Sequence, residues 1–168
     1  MNDKIYLGID CGKQGFFTFL NQDGIIVDYY AMPLIGKEYD KQQIKQILEK
    51  HKIHKVIVEK PTSIFGVGKS AVASLMQCVG MIEGMLVALD LSYIMVQPKQ
   101  WQKQCWSHVK VQKDIKGKTD TKATSILAAI NLFNHTDFKV TNKGNSSKNY
   151  NDGFCDSALI AEYGRRMF

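Results

Sequence analysis

Four carboxylates sit in sequence contexts where a folded chain can hold a charge only with help. Asp10 ends the apolar run Tyr6-Leu7-Gly8-Ile9, and Glu59 ends Val56-Ile57-Val58 in the same way. A charged group at the end of a buried strand has to be paired, hydrogen-bonded or bound to metal, because desolvating it alone is costly. Asp152 and Asp156 stand four residues apart near the head of the last helical segment, a spacing that puts both on one helix face. If the two strands are neighbours, their like charges raise each other's pKa unless a cation intervenes. An oxygen-only donor set of this kind suits Mg²⁺, with Mn²⁺ as a substitute. Two such ions about 3.5 to 4 Å apart stabilise the attacking and leaving oxygens of a phosphodiester cleavage. Singly, each acid has a plainer reading, Asp156 as a helix cap and Glu59 as a strand-end partner of Lys60. Metal chemistry is the reading that accounts for all of them together.

The elements that must position these groups follow from the pattern of the chain. Residues 4–10 and 16–20 read as strands, and Asn21-Gln22-Asp23-Gly24 is a turn into Ile25-Ile26-Val27. Asp40 caps a helix carrying Ile44, Ile47 and Leu48, and residues 54–59 form a strand buried on both faces. After a Gly- and Ser-rich loop, Val72, Leu75, Met76, Val79, Ile82, Leu86 and Leu89 repeat at helical spacing over 72–89. This helix has the length of a membrane span, but Gln77, Glu83 and Asp90 argue against one. Gly80 and Gly84 give it a bare strip where a second helix can approach, within the fold or across a dimer. A fifth strand at 92–97, a short helix from Pro98, a helix over 119–133, a polar loop at 135–150 and a last helix containing 156–166 complete the chain. The order predicts one α/β domain over 1–168. Its sheet is mixed and five-stranded, three strands antiparallel and two parallel, with helices on both faces. In such sheets function gathers at strand ends.

The net charge of +6 is unevenly spread. Between Lys99 and Tyr150 there are ten lysines against three aspartates, while the rest of the chain holds twelve basic and thirteen acidic residues. A basic third beside a near-neutral remainder fits a polyanion-binding surface. Four cysteines without a C-x-x-C pair, and a first carboxylate reached before any signal-like apolar run, predict reduced thiols and a protein that is not secreted.

Gly8-Ile9-Asp10-Cys11-Gly12, Val56-Ile57-Val58-Glu59-Lys60-Pro61 and the run from Asp152 to Arg166 that begins Asp-Gly-Phe-Cys-Asp-Ser-Ala-Leu resemble the RuvC family of Holliday-junction resolvases, phage and viral members above all. The likeness covers nearly the whole chain in order. It implies a ribonuclease H-like fold and a homodimer built on helix 72–89. It further implies paired Mg²⁺-dependent cuts across a four-way DNA junction, made in the cytoplasm of a bacterial host or where viral DNA replicates. On this resemblance Asp10, Glu59, Asp152 and Asp156 are the metal-binding carboxylates and Lys122 the catalytic lysine. Many relatives carry His before the first C-terminal Asp, where this sequence has Asn151.

Lys110, Lys113, Lys116 and Lys118 flank Gly117 in a segment able to track a phosphate backbone, and Lys69 adds a cation ahead of the long helix. Phe65, just after Glu59, reads either as a wedge that stacks on an unpaired base or as a core residue. Gly68-Lys69-Ser70 imitates the end of a P-loop, but the pattern needs Gly where Ser63 stands, leaving Ser70 as a helix cap. Cys105 and His108 lack the second half of a zinc site, and Trp101 and Trp106 read as packing residues. Two alternatives to a nuclease stay open: a branched-DNA-binding protein that cuts nothing, and an ATPase with the actin-like fold, whose first phosphate loop Gly8-Ile9-Asp10-Cys11-Gly12 also resembles. The latter needs two such domains around its nucleotide, and the pattern reads as one.

Overall fold

The computed structural model describes residues 4–61, 68–143 and 145–168. At its centre lies β1 (Ile5–Ile9), which pairs antiparallel with β2 (Phe16–Asn21) and parallel with β6 (Ile53–Glu59). Beyond β2 comes β3 (Ile26–Ala31), antiparallel, and beyond β6 comes β7 (Tyr93–Val96), parallel, so the order is β3-β2-β1-β6-β7. The mixed five-stranded sheet with three antiparallel and two parallel strands is as the element order predicts.

Side chains alternate across this sheet and divide the core in two. Leu7, Ile9, Val56 and Val58 face α1 (Lys41–Glu49) and α2 (Lys69–Ala88). Ile57 faces the other layer, made of α3 (Pro98–Cys105), α4 (Thr121–Leu132) and α5 (Asp152–Met167). By the same parity Asp10 follows Gly8, and Glu59 follows Ile57, toward α5.

Of these helices α5 is the most deeply set, buried from Gly153 to Tyr163 except at Asp156 and ending its buried run at Gly164. It crosses β1 at Gly8, where an added Cβ would lie 2.1 Å from the Ser157 carbonyl oxygen and 2.4 Å from the Ala161 nitrogen. A hydrogen bond of 2.6 Å between the buried hydroxyls of Thr18 and Ser157 pins the helix to β2. The close approach fixes where the head of α5 falls relative to the strand ends.

Several local expectations shift. A two-stranded ladder of β4 (Leu34–Ile35) and β5 (Glu38–Tyr39), turned at Gly36 with φ of 62°, is too short to show a period in sequence. Ser70 does not cap α2; the cap position is Gly68, without a side-chain bond. Asp156 is not a cap either, because Asn151 accepts from the Phe154 N–H and starts α5 one turn earlier. The polar stretch before α5 is a small hairpin, bridged at Val140 and Ser146.

Helix α2 begins three residues earlier than its periodicity predicts and buries only Cys78, Val79, Ile82 and Leu86, while Met76 and Val87 are exposed. By length and composition it passes for a membrane span. It nevertheless packs on the sheet, and its Glu83 accepts a hydrogen bond from the Tyr93 hydroxyl. Among the described residues nothing beyond the helix's own backbone lies within 4 Å of a Cβ built on Gly80 or Gly84, so no described residue packs into the bare strip.

Candidate active site

The parallel register puts Ile9 beside Val58, so the next residues along, Asp10 and Glu59, emerge side by side at the carboxyl ends of the two central parallel strands. Asp10 is fixed by its own backbone, its N–H donating to the Phe16 carbonyl at 3.0 Å. Glu59 is held by a residue 42 positions away: the indole Nε1–H of Trp101, buried in α3, donates to Oε2 at 2.7 Å.

The first turn of α5 closes over these groups. A Cβ on Gly153 would lie 2.4 Å from the Gln14 carbonyl oxygen and 3.2 Å from Asp10 Oδ2, so only glycine lets the helix head come this near the Asp10 carboxylate. Asp152 and Asp156, one turn apart, are thereby brought to the same place. Lys122, from the first turn of α4, reaches across to Asp152 Oδ2 at 2.6 Å. The side chains of that ion pair are 76% and 41% exposed, so the contact is worth at most about 1 kcal/mol and yields readily to a competing phosphate.

The electrostatics record the crowding. Burial, then the negative charges of Asp156, Glu59 and Asp152, raise the Asp10 carboxyl well above the ordinary range. Asp156 is pushed up to about 7, by burial first and by Glu59 and Asp152, with the Ser125 hydroxyl and Lys122 pulling the other way. Glu59 is raised by burial and partly relieved by the Trp101 N–H. Lys122 is raised, chiefly by its bond to Asp152. Mutual repulsion of this kind is what a divalent cation offsets.

The donor set fits such a cation in chemistry: every candidate ligand atom is a carboxylate oxygen, and Asp156 Oδ1 is buried with no hydrogen-bond partner among the described residues. The oxygens are gathered but not closed on a point. Among the described residues no three His, Cys, Asp or Glu side chains surround one metal-sized position. Lys122 draws Asp152 one way and Trp101 draws Glu59 another.

The other predicted residues fall in different places. Lys110, Lys113, Lys116 and Lys118 are exposed on a loop closed by Asp114, whose Oδ1 accepts from the Lys116 and Lys118 backbone N–H groups. That loop is tied to the head of α4 through the Gln112 N–H to Thr124 Oγ1, which puts its cations at the end of the helix bearing Lys122. Lys69 is exposed at the start of α2. Phe65 lies outside the described residues. Asn151 is structural: besides capping α5 it donates from Nδ2 to the Val140 carbonyl and to Asn142 Oδ1.

Trp101 and Ser125 touch the cluster and were not among the predicted site residues. Trp101 reads as packing in the sequence, and its volume does pack; only its distant bond to Glu59 ties it to the site. Ser125 carries no local signal, since nothing in a helical run of small residues marks one hydroxyl.

No protein-family model matches this chain, and no curated protein matches it either. Solved structures do. A structure of T. thermophilus RuvC in complex with Holliday junction substrate superposes with a TM-score of 0.62 at 11% sequence identity, covering 95% of this chain and 92% of that one. A second Thermus thermophilus RuvC structure gives 0.61 at 11% identity, over 97% and 96%. The fold is therefore ribonuclease H-like in the RuvC arrangement.

Proposed function

We propose that the protein is a metal-dependent, structure-selective DNA endonuclease that resolves four-way junctions, and other branched DNA, by paired phosphodiester hydrolysis. The observation that carries this reading is the convergence of Asp10, Glu59, Asp152 and Asp156, with Lys122 at its rim, on one end of a RuvC-like sheet. One of the similar structures is of T. thermophilus RuvC with Holliday junction substrate, which supports branched DNA as the ligand class. Bound by the four carboxylates, two Mg²⁺ ions, or Mn²⁺ in their place, would supply an activated water and neutralise the departing oxygen. Trp101 orients Glu59, the Gly153 approach holds α5 against Asp10, and Lys122 is free to exchange Asp152 for a phosphate oxygen. The lysines of 110–118 hold the DNA backbone on the α4 side.

A protein that only bound phosphates would gain nothing from clustered negative charge, which disfavours the non-catalytic alternative. The reading includes a homodimer formed on the exposed strip of α2, with Met76, Gly80, Gly84 and Val87 facing the partner, and action inside the cell. Mapping the cuts on a junction labelled in turn on each strand tests it. Paired nicks on opposite strands that EDTA abolishes support a resolvase; junction binding without cuts in Mg²⁺ or Mn²⁺ rules it out. Light scattering checks the dimer, which a monomeric mass would exclude.

A further inference from the structure

Two cavities meet beside the carboxylate cluster. One, of about 570 Å³, runs from Asp152 along the hairpin before α5 and is lined by Tyr150. The other, of about 720 Å³, lies against the edge strand β3 and is lined by Lys13 and Tyr29. Gln14, Asn142 and Lys143 line both, so the two form one groove that starts at Asp152 and leads over the side of the sheet away from β7. Asp152, at its mouth, is the one acidic residue among those lining it.

The groove carries two tyrosines already held in place. Tyr29, 40% exposed, lies stacked on the buried Phe154 with centroids 4.3 Å apart, and Phe154 stacks in turn on Phe16 at 5.3 Å. Tyr150, 42% exposed, has the Lys139 ammonium 4.8 Å from its ring centroid. Rings backed in this way lose little freedom when a flat ligand settles on them. With cations between and beside them, they make the alternation of stacking face and charge that holds an unpaired nucleic-acid strand.

We propose that this groove binds unpaired nucleotides of the DNA strand that continues from the phosphate at the carboxylate cluster. Tyr150 receives the base nearer the cluster and Tyr29 one further out, Lys13 and Lys143 hold the intervening phosphates, and the Gln14 amide faces the base edges. Duplex DNA hides the base faces these rings require, so the groove selects strands that are open next to the cut. The inference rests on the nuclease reading for what sits at Asp152.

The test is the affinity of a short single-stranded oligodeoxynucleotide carrying 2-aminopurine, measured in EDTA by anisotropy and by quenching of the probe. Wild type is expected to bind and quench. Tyr150→Ala and Tyr29→Ala are each expected to weaken binding about tenfold and lose quenching, while Tyr150→Phe and Tyr29→Phe keep both. Lys143→Ala is expected to reduce the salt dependence by about one phosphate contact. Because Tyr29 packs on Phe154, its alanine variant is checked by thermal melting; Tyr150→Ala keeps the test valid should Tyr29→Ala fold poorly. Alanine variants that bind as wild type does, phenylalanine variants that fail as the alanine ones do, or an unquenched probe would each overturn the groove. Junction cleavage in the same preparations separates the two readings. Cleavage with unchanged oligonucleotide binding sinks the groove alone, and tyrosine-dependent binding without cleavage sinks the nuclease alone.

Discussion

Neutralising Asp156 should stabilise the fold while destroying its chemistry. With its carboxyl pushed up from the ordinary 3.8 to about 7, ionising it in the folded protein at pH 8 costs about 4 kcal/mol, an upper figure. The sign follows from the raised value: the folded state holds the proton more tightly, so stability falls as pH rises from 3.8 through about 7. Asp156→Asn removes that penalty. For a chain of this size each kcal/mol moves Tm by about 2 to 4 °C, so a rise of about 5 to 15 °C is expected at pH 8 in EDTA. Between pH 6 and 8 the wild-type Tm should fall more steeply than the variant's. Mg²⁺ should narrow the gap: at a hundred times Kd a ligand adds about 2.7 kcal/mol to wild type, offsetting more than half of the penalty, while the variant, short of one ligand, gains little. Thermal melting followed by circular dichroism, in EDTA and in Mg²⁺ at three pH values, reads all of this. An Asp156→Asn protein less stable than wild type at pH 8 in EDTA would refute the reasoning, because Asp156 would then be a stabilising partner and not a strained ligand.

Three further outcomes are expected. Trp101→Phe keeps most of the packing but removes the 2.7 Å bond to Glu59; single-turnover cleavage should slow about tenfold or more and its acidic limb should move to higher pH, and an unchanged profile would show that the bond does not act on the site. Gly153→Ala drives a methyl group against the Gln14 carbonyl and should cost about 1 to 3 kcal/mol along with most of the cleavage, so a wild-type Tm and rate would refute the close approach. Glu162, 4% exposed, accepts at 2.7 Å from both Arg165 and Arg166, and its carboxyl is held below the ordinary 4.5 by those bonds despite burial. Its contribution is present above 4.5 and lost as pH falls through the lowered value. Glu162→Gln should therefore destabilise by about 1 to 3 kcal/mol at pH 7 and show a shallower acid loss in a pH-dependent urea titration, and equal slopes would count against it.

The strands bearing Asp10 and Glu59 were legible because each is a short, unbroken apolar run ending in a carboxylate, and period-two alternation then sends both acids to one face. Asp152 and Asp156 were legible as a pair because one helical turn separates them. The start of α5 was less so: Asn151 is the cap, and the loop before it folds into a hairpin that no local pattern announces. What could not be read along the chain is contact across it. The Trp101 bond to Glu59, the Thr18 bond to Ser157 and the seat of α5 on Gly8 join residues 42 to 153 positions apart and depend on the packed sheet. The long helix shows the opposite limit. Its apolar repeat predicts burial on one face, yet Met76 within that repeat is exposed and no described residue packs on Gly80 or Gly84, since a helical period records an apolar stripe and not what covers it.

The most direct test is the rate at which wild type and Asp10→Asn cut a labelled four-way junction and a matched linear duplex in Mg²⁺. Asp10 sits where the register of β1 and β6 meets the head of α5, and its loss should remove the cluster's function without touching the basic loops. Wild type is predicted to nick the junction and spare the duplex, and Asp10→Asn to bind the junction but cut neither. A junction cut equally fast by Asp10→Asn, or left whole by wild type, would contradict a carboxylate-borne nuclease site.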